Sequence, residues 1–196
     1  MKSTVIPKIV LLLVITFSFL TNGYSQKIGL KTNALYWATA TPNIGVEIAL
    51  NRKWTLDVSG GYNPWNFDNN KKFKHWAAQT EARYWLCDVF EGHFLGVHAQ
   101  GGQFNIGKMW LPNFVFGKNS KDYRYQGYFV GAGISYGYQW ILSPRWNIEA
   151  NIGVGYNYMK YDKIEPCNCG ETLEREKSSN YFGPTKIGLS FIYIIK

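Results

Sequence analysis

From Lys27 onward, apolar and polar residues alternate with a period of two in eight separate segments. In the segment from Trp146, the residues Trp146, Ile148, Ala150, Ile152, Val154, Tyr156 and Tyr158 share one face, against Asn147, Glu149, Asn151, Gly153, Gly155 and Asn157. The segment before it sets Tyr128, Val130, Ala132, Ile134, Tyr136, Tyr138 and Trp140 against Gly131, Gly133, Ser135, Gly137 and Gln139. A helix, with 3.6 residues per turn, would scramble these lists, so the pattern predicts strands. Six further segments behave alike, at residues 27–40, 43–50, 53–63, 76–86, 93–104 and 185–195. Leu35, Trp37 and Trp85 interrupt the polar face.

The connections alternate too. Asn51–Arg52, Cys87–Gly92 and Ser143–Pro144 are short links, whereas Pro64–His75, Asn105–Gln126 and Lys160–Pro184 are long. Only the first link, Thr41–Pro42, is shorter than its neighbours imply. Short turns on one rim and long loops on the other predict an all-β, eight-stranded antiparallel up-and-down transmembrane β-barrel of the outer-membrane type.

Which face meets the outside follows from size and charge. An eight-stranded barrel has an interior just wide enough for its side chains. The dozen Tyr and Trp of the apolar face would overfill it. Those rings also sort by position, which predicts two interfacial girdles. Tyr36, Tyr62, Trp76, Tyr128, Tyr156 and Tyr158 lie toward the long-loop rim, and Trp54, Tyr84, Tyr138, Trp140, Trp146 and Tyr193 toward the short-turn rim. The charges inside the segments, Lys31, Glu47, Asp57, Glu81, Arg83, Glu149 and Lys186, all fall on the opposite, polar face. With His98 they form a candidate polar network in the lumen. Three cations against four anions predict a plug of paired side chains rather than an open pore.

The first 25 residues have a different character. Lys2 and Lys8 precede the uncharged, mostly apolar run Ile9–Leu20, and Gly23-Tyr24-Ser25 gives a small-x-small site. This predicts a cleaved signal peptide over 1–25, with the barrel occupying 26–196. Twelve helical residues rise only about 18 Å, too little to cross a hydrocarbon core. Export to a bacterial outer membrane would explain why 34 Phe, Trp and Tyr residues accompany only 17% charged residues. The net charge of +8 would otherwise suggest a nucleic-acid binder, but export removes that partner. Sorted by position, the cations without Lys2 and Lys8 concentrate in the loops, with +5 in 66–75 and 105–126 together.

Candidate chemistry is sparse. His98 reads either as a general acid/base in a polar core or as a hydrogen-bonded interior histidine. His75 and His93 lie apart from it, so no metal set converges, and no cofactor, catalytic motif or phosphate loop is expected. Cys167 and Cys169 in the last long loop could form a local disulfide, or half of a soft-metal site. Cys87 lies at the opposite rim, out of reach of both. Lys71, Lys72 and Lys74, with Trp65, Phe67, Phe73 and Trp76, form either a lipid-phosphate site or a solvated loop beside the aromatic girdle.

Residues 31–65 (KTNALYWATATPNIGVEIALNRKWTLDVSGGYNPW), 75–87 (HWAAQTEARYWLC) and 92–103 (GHFLGVHAQGGQ) resemble a family of small Bacteroidota outer-membrane barrels catalogued as a domain of unknown function. TPNIGVE, GGYNPW and EARYWLC carry the resemblance best. Its genes often sit beside fimbrillin-type adhesin genes, and the architecture is similar to the barrel domain of outer membrane protein A. The resemblance brings no catalytic residues. It implies a non-enzymatic envelope or surface-interaction role, with outer-membrane lipid, lipopolysaccharide or a surface or fimbrial protein as partner. A lipid-modifying outer-membrane enzyme and a soluble lipocalin-like binder are the alternatives. The chain ends Ile194-Ile195-Lys196, where many such barrels end on an aromatic residue.

Overall fold

The computed structural model describes residues 27–67, 71–107, 123–164 and 172–195. The expected leader (1–25), Cys167 and Cys169 lie outside the described residues. The elements in chain order are β1 (Ile28–Asn33), a short helix α1 (Ala34–Ala38), β2 (Asn43–Ala49), β3 (Trp54–Asn63) and the two-residue β4 (Asn66–Phe67). β5 (Lys71–Trp85), β6 (Gly92–Gly107), β7 (Arg124–Ser143), β8 (Trp146–Ile164) and β9 (Thr172–Ile195) follow.

Each long strand pairs antiparallel with its neighbour in sequence, β5 with β3, and β9 returns to β1, so eight strands close into a ring. β4 adds only to the far end of β5. Closure joins the first strand to the last over Ile28–Asn33 and Ser190–Ile195, as a sheet in an apolar solvent requires. The short turns are set by local side-chain bonds. Asn51 Oδ1 accepts from the backbone N–H of Lys53 at 2.8 Å and of Trp54 at 3.0 Å. Ser143 Oγ accepts from Trp146 N–H at 3.2 Å.

The ring is sheared. A walk along paired residues runs Lys31, Gly45, Ser59, Gln79, Gln100, Gly131, Asn157, Tyr181. It returns to β9 eleven positions from Ile192, the direct partner of Lys31. One of the eleven is the extra residue at the bulge opposite Gly153 and Val154. Such a shear tilts the strands by about 40°, in the range of closed barrels. Each residue then climbs about 2.5 Å along the barrel axis, and each step to the next strand about 3 Å.

Two expectations need correction. The segment 27–40 is not one strand: β1 stops at Asn33, and Ala34–Ala38 form α1. Asn33 caps the helix, its side chain accepting from Leu35 N–H at 3.0 Å. Tyr36 therefore sits on a helix rather than on a girdle strand. Its fit to the alternation was a coincidence within a run whose Leu35, Tyr36 and Trp37 all reach the surface. The long links are also shorter than the alternation suggests. β5 begins at Lys71, β6 runs to Gly107, β7 starts at Arg124, β8 reaches Ile164 and β9 starts at Thr172. In these extensions the inner face turns apolar, with Phe104, Ile106, Tyr125, Met159 and Tyr161 packed together. The polar/apolar contrast disappears while the ladder continues.

Candidate functional site

The lumen is built from the polar face of every long strand. On the paired row Glu47, Asp57, Glu81 and His98, three carboxylates stand directly opposite one another on consecutive strands. Like charges so placed repel, so the row requires cations, and three arrive from neighbouring positions. Arg83, fully buried, lies 2.8 Å from Glu47, 2.8 Å from Glu149, 2.6 Å from Glu81 and 3.6 Å from Asp57. Lys31 lies 2.8 Å from Asp57, 3.1 Å from Glu149 and 3.3 Å from Glu47. Lys186 reaches Glu81 at 2.6 Å.

Neutral groups complete the net. Thr55 Oγ1 donates to Glu47 at 2.6 Å and Asn151 Nδ2 to Glu149 at 2.6 Å. The Ser135 hydroxyl donates to Glu81. A planar guanidinium suits this centre because its fork of donors can serve several carboxylates at once. Glycines make the room: a Cβ on Gly45 would stand 2.7 Å from Lys31 Cγ, and one on Gly96 2.6 Å from Glu81 Oε1. All eight residues expected in the lumen, Lys31, Glu47, Asp57, Glu81, Arg83, His98, Glu149 and Lys186, thus face inward and meet in one network.

His98 is 1% exposed. Its Nε2 pairs with Thr185 Oγ1 at 2.9 Å, and its Nδ1 stands 3.9 Å from Glu81. The Ser135 hydroxyl gives its proton to Glu81, and the hydroxyl that meets the imidazole is that of Thr185. Among the described residues no group of three His, Cys, Asp or Glu side chains could hold a metal ion. Cys87 is a free, exposed thiol.

Below the network, toward the short turns, an apolar stopper fills the barrel. Trp85 and Phe94 are fully buried, with ring centroids 4.9 Å apart, and Arg83 stacks over Phe94 at 4.4 Å. Phe90 folds in from the turn with φ 67°, packing on Ala49, Ile192 and Ile194. Asn147 Nδ2 donates to the Phe90 carbonyl at 3.1 Å. Phe90 and Phe94 were missed in sequence. Trp85 already broke the polar face, and Phe94 holds the same parity as the inward Gly96 and His98, which was the available signal.

The outer face carries the opposite chemistry. Val97, Ile134, Ile44 and Ile187 are more than 60% exposed. Trp54 and Tyr84 (5.3 Å), Tyr138 and Trp140 (4.8 Å), and Trp146 and Tyr193 (5.0 Å) pair as rings along the short-turn rim. Tyr62, Trp76, Tyr128, Tyr156 and Tyr158 lie exposed toward the other rim. Among the described residues, outward charges appear only at the strand ends, among them Lys74, Arg124, Lys160 and Asp162 beyond the upper girdle. Lys160 bonds Glu176 at 3.1 Å, which holds its ammonium above its ordinary value. Of the lysine-rich cluster, Lys74 and Trp76 face outward, while Phe73 turns inward against His75 at 4.7 Å. These residues therefore do not form one face. No described helix is long and apolar enough to cross a membrane, which leaves spanning by strands open.

A family model described as "Protein of unknown function (DUF3575)" matches residues 9–195. No curated protein and no solved structure matches the chain. The chain belongs to the DUF3575 family.

Proposed function

We propose that this protein is a non-enzymatic β-barrel of a Gram-negative outer membrane, seated in lipid by its outer face and presenting its long-strand rim to the cell exterior. The observation that carries this reading is the sorting of side chains across the wall. Large apolar residues stand exposed between two sets of Tyr and Trp, while the carboxylates and cations of the spanning strands are buried inside. Outward exposure of Val97, Ile134 and Ile152 is costly in water and favourable in hydrocarbon. A lipocalin-type carrier would turn such residues inward around a ligand, but here the lumen is filled by ion pairs and aromatic rings.

The sealed lumen argues for a structural or surface-contact role over conduction. The rim beyond the upper girdle, where β5–β9 project, is the surface offered to lipopolysaccharide or to a surface or fimbrial protein in a Bacteroidota-type envelope. Cell fractionation tests the placement. The protein should sediment with the outer membrane and require detergent for release, and recovery in the periplasmic fraction without detergent would refute it.

A further inference from the structure

The barrel wall is interrupted at one seam. The β1–β9 ladder ends at Asn33 and Ser190, yet β9 continues to Thr172. The Asn33 side chain extends the pairing by one step, donating to Ile187 O at 3.3 Å and accepting from Leu189 N–H at 3.3 Å. Beyond it, Pro184 brings no N–H, and its carbonyl accepts from Tyr181 Oη at 3.1 Å. Leu189 N–H, Ile187 O and Pro184 O are thus met by side chains instead of by a neighbouring strand.

α1 and the turn after it occupy the notch but are fastened to the other side. Tyr62 N–H donates to Pro42 O at 3.0 Å, Asn63 Nδ2 to Thr39 O at 3.2 Å, and Trp65 Nε1 to Ala40 O at 2.9 Å. Among the described residues no hydrogen bond joins α1 to β9. The paired row Trp54, Tyr84, Leu95, Tyr136, Ile152, Ile187 climbs five strands from the lower girdle. Ile187 therefore lies about 15 Å above that girdle, and Phe182 about 10 Å higher, within an apolar band of about 25 Å. A bare edge at that depth would not be tolerated in lipid; the Asn33 and Tyr181 side chains cover this one in part, at Leu189, Ile187 and Pro184.

Behind the seam is a cavity of about 60 Å³. Tyr36 of α1 and Ile187 of β9 form part of its wall, so it reaches the seam, and Lys31, Asp57, Asn151 and Lys186 line its floor. That volume holds a few water-sized groups, not an acyl chain. The network beneath carries three cations against four carboxylates. Asn151 is 8% exposed, and its Oδ1 has no hydrogen-bond partner. Both features call for a donor bearing positive charge.

We propose that the α1–β9 seam is a lateral port through which the primary amine of a zwitterionic membrane-lipid headgroup enters the lumen cavity, its acyl chains remaining in the bilayer. This rests on the outer-membrane reading above. Native mass spectrometry of the detergent-extracted full chain, offered equal amounts of phosphatidylethanolamine, phosphatidylcholine and phosphatidylglycerol, tests it. The expected result is retention of phosphatidylethanolamine at least tenfold over the other two. Ser59→Leu and Ala77→Leu, which fill the cavity from two walls and leave every charge in place, should each lose that preference while the barrel stays heat-modifiable on gels. Equal retention of the three lipids, or an unchanged preference in both filled variants, overturns the port while leaving the barrel intact. A wild-type chain that is not heat-modifiable overturns the membrane reading and the port together.

Discussion

Arg83 on β5 and Glu149 on β8 meet across the lumen at 2.8 Å, both fully buried. The strands that carry them are not neighbours, so this bond ties opposite walls of the barrel together. Removing one member of a buried ion pair leaves uncompensated charge and costs about 3–5 kcal/mol. Arg83→Met should therefore lower the unfolding free energy of the refolded barrel, read from urea titrations, by that amount. Adding Glu149→Gln to Arg83→Met should recover part of the loss, because four carboxylates then no longer compete for the two remaining cations. An Arg83→Met barrel as stable as wild type would show that the network contributes little.

The lipid face predicts a contrast between two positions. Val97 is 64% exposed near mid-height, and Val97→Arg should cost about 2–4 kcal/mol in folding titrations into liposomes. Lys74, beyond the upper girdle, should tolerate Lys74→Ala within about 0.5 kcal/mol. Similar costs at both sites would contradict the assignment of faces.

The stopper depends on a glycine. A Cβ at Gly137 would lie 2.6 Å from Phe94 Cε1. Gly137→Ala should push Phe94 off Trp85 and Arg83, costing about 1–3 kcal/mol of overpacking, with a change in near-ultraviolet circular dichroism from Trp85.

Stopper and ion network together should block small solutes. Liposomes containing the wild-type barrel should swell in sugar solutions no faster than empty ones. Trp85→Ala should cost about 3–5 kcal/mol yet leave swelling unchanged, because the ion network above remains. Rapid swelling of the wild-type liposomes would show that the lumen conducts.

Strands, faces and lumen charges were legible because each half-buried strand must alternate, and a misplaced charge would break that alternation visibly. Three features were not legible. In α1, Asn33 offers a helix cap ahead of Ala34-Leu35-Tyr36-Trp37, but five residues give too few turns for a helical period to emerge. In the strand extensions, Phe104, Tyr125 and Tyr161 point inward, so the contrast that marks a strand vanishes although the ladder persists. Phe90 enters the core through a left-handed backbone at a turn, which no periodic pattern encodes. The network's geometry was beyond reach for another reason. Parity gives the face of Arg83 but not its height relative to Glu149, which depends on the shear of the whole ring.

Gel mobility with and without boiling tests most directly whether the sheet closes around a filled lumen in a lipid setting. The membrane-extracted protein should migrate differently unboiled and boiled, because a closed barrel holds its compact form in detergent until heated. Identical mobility under both conditions would contradict closure.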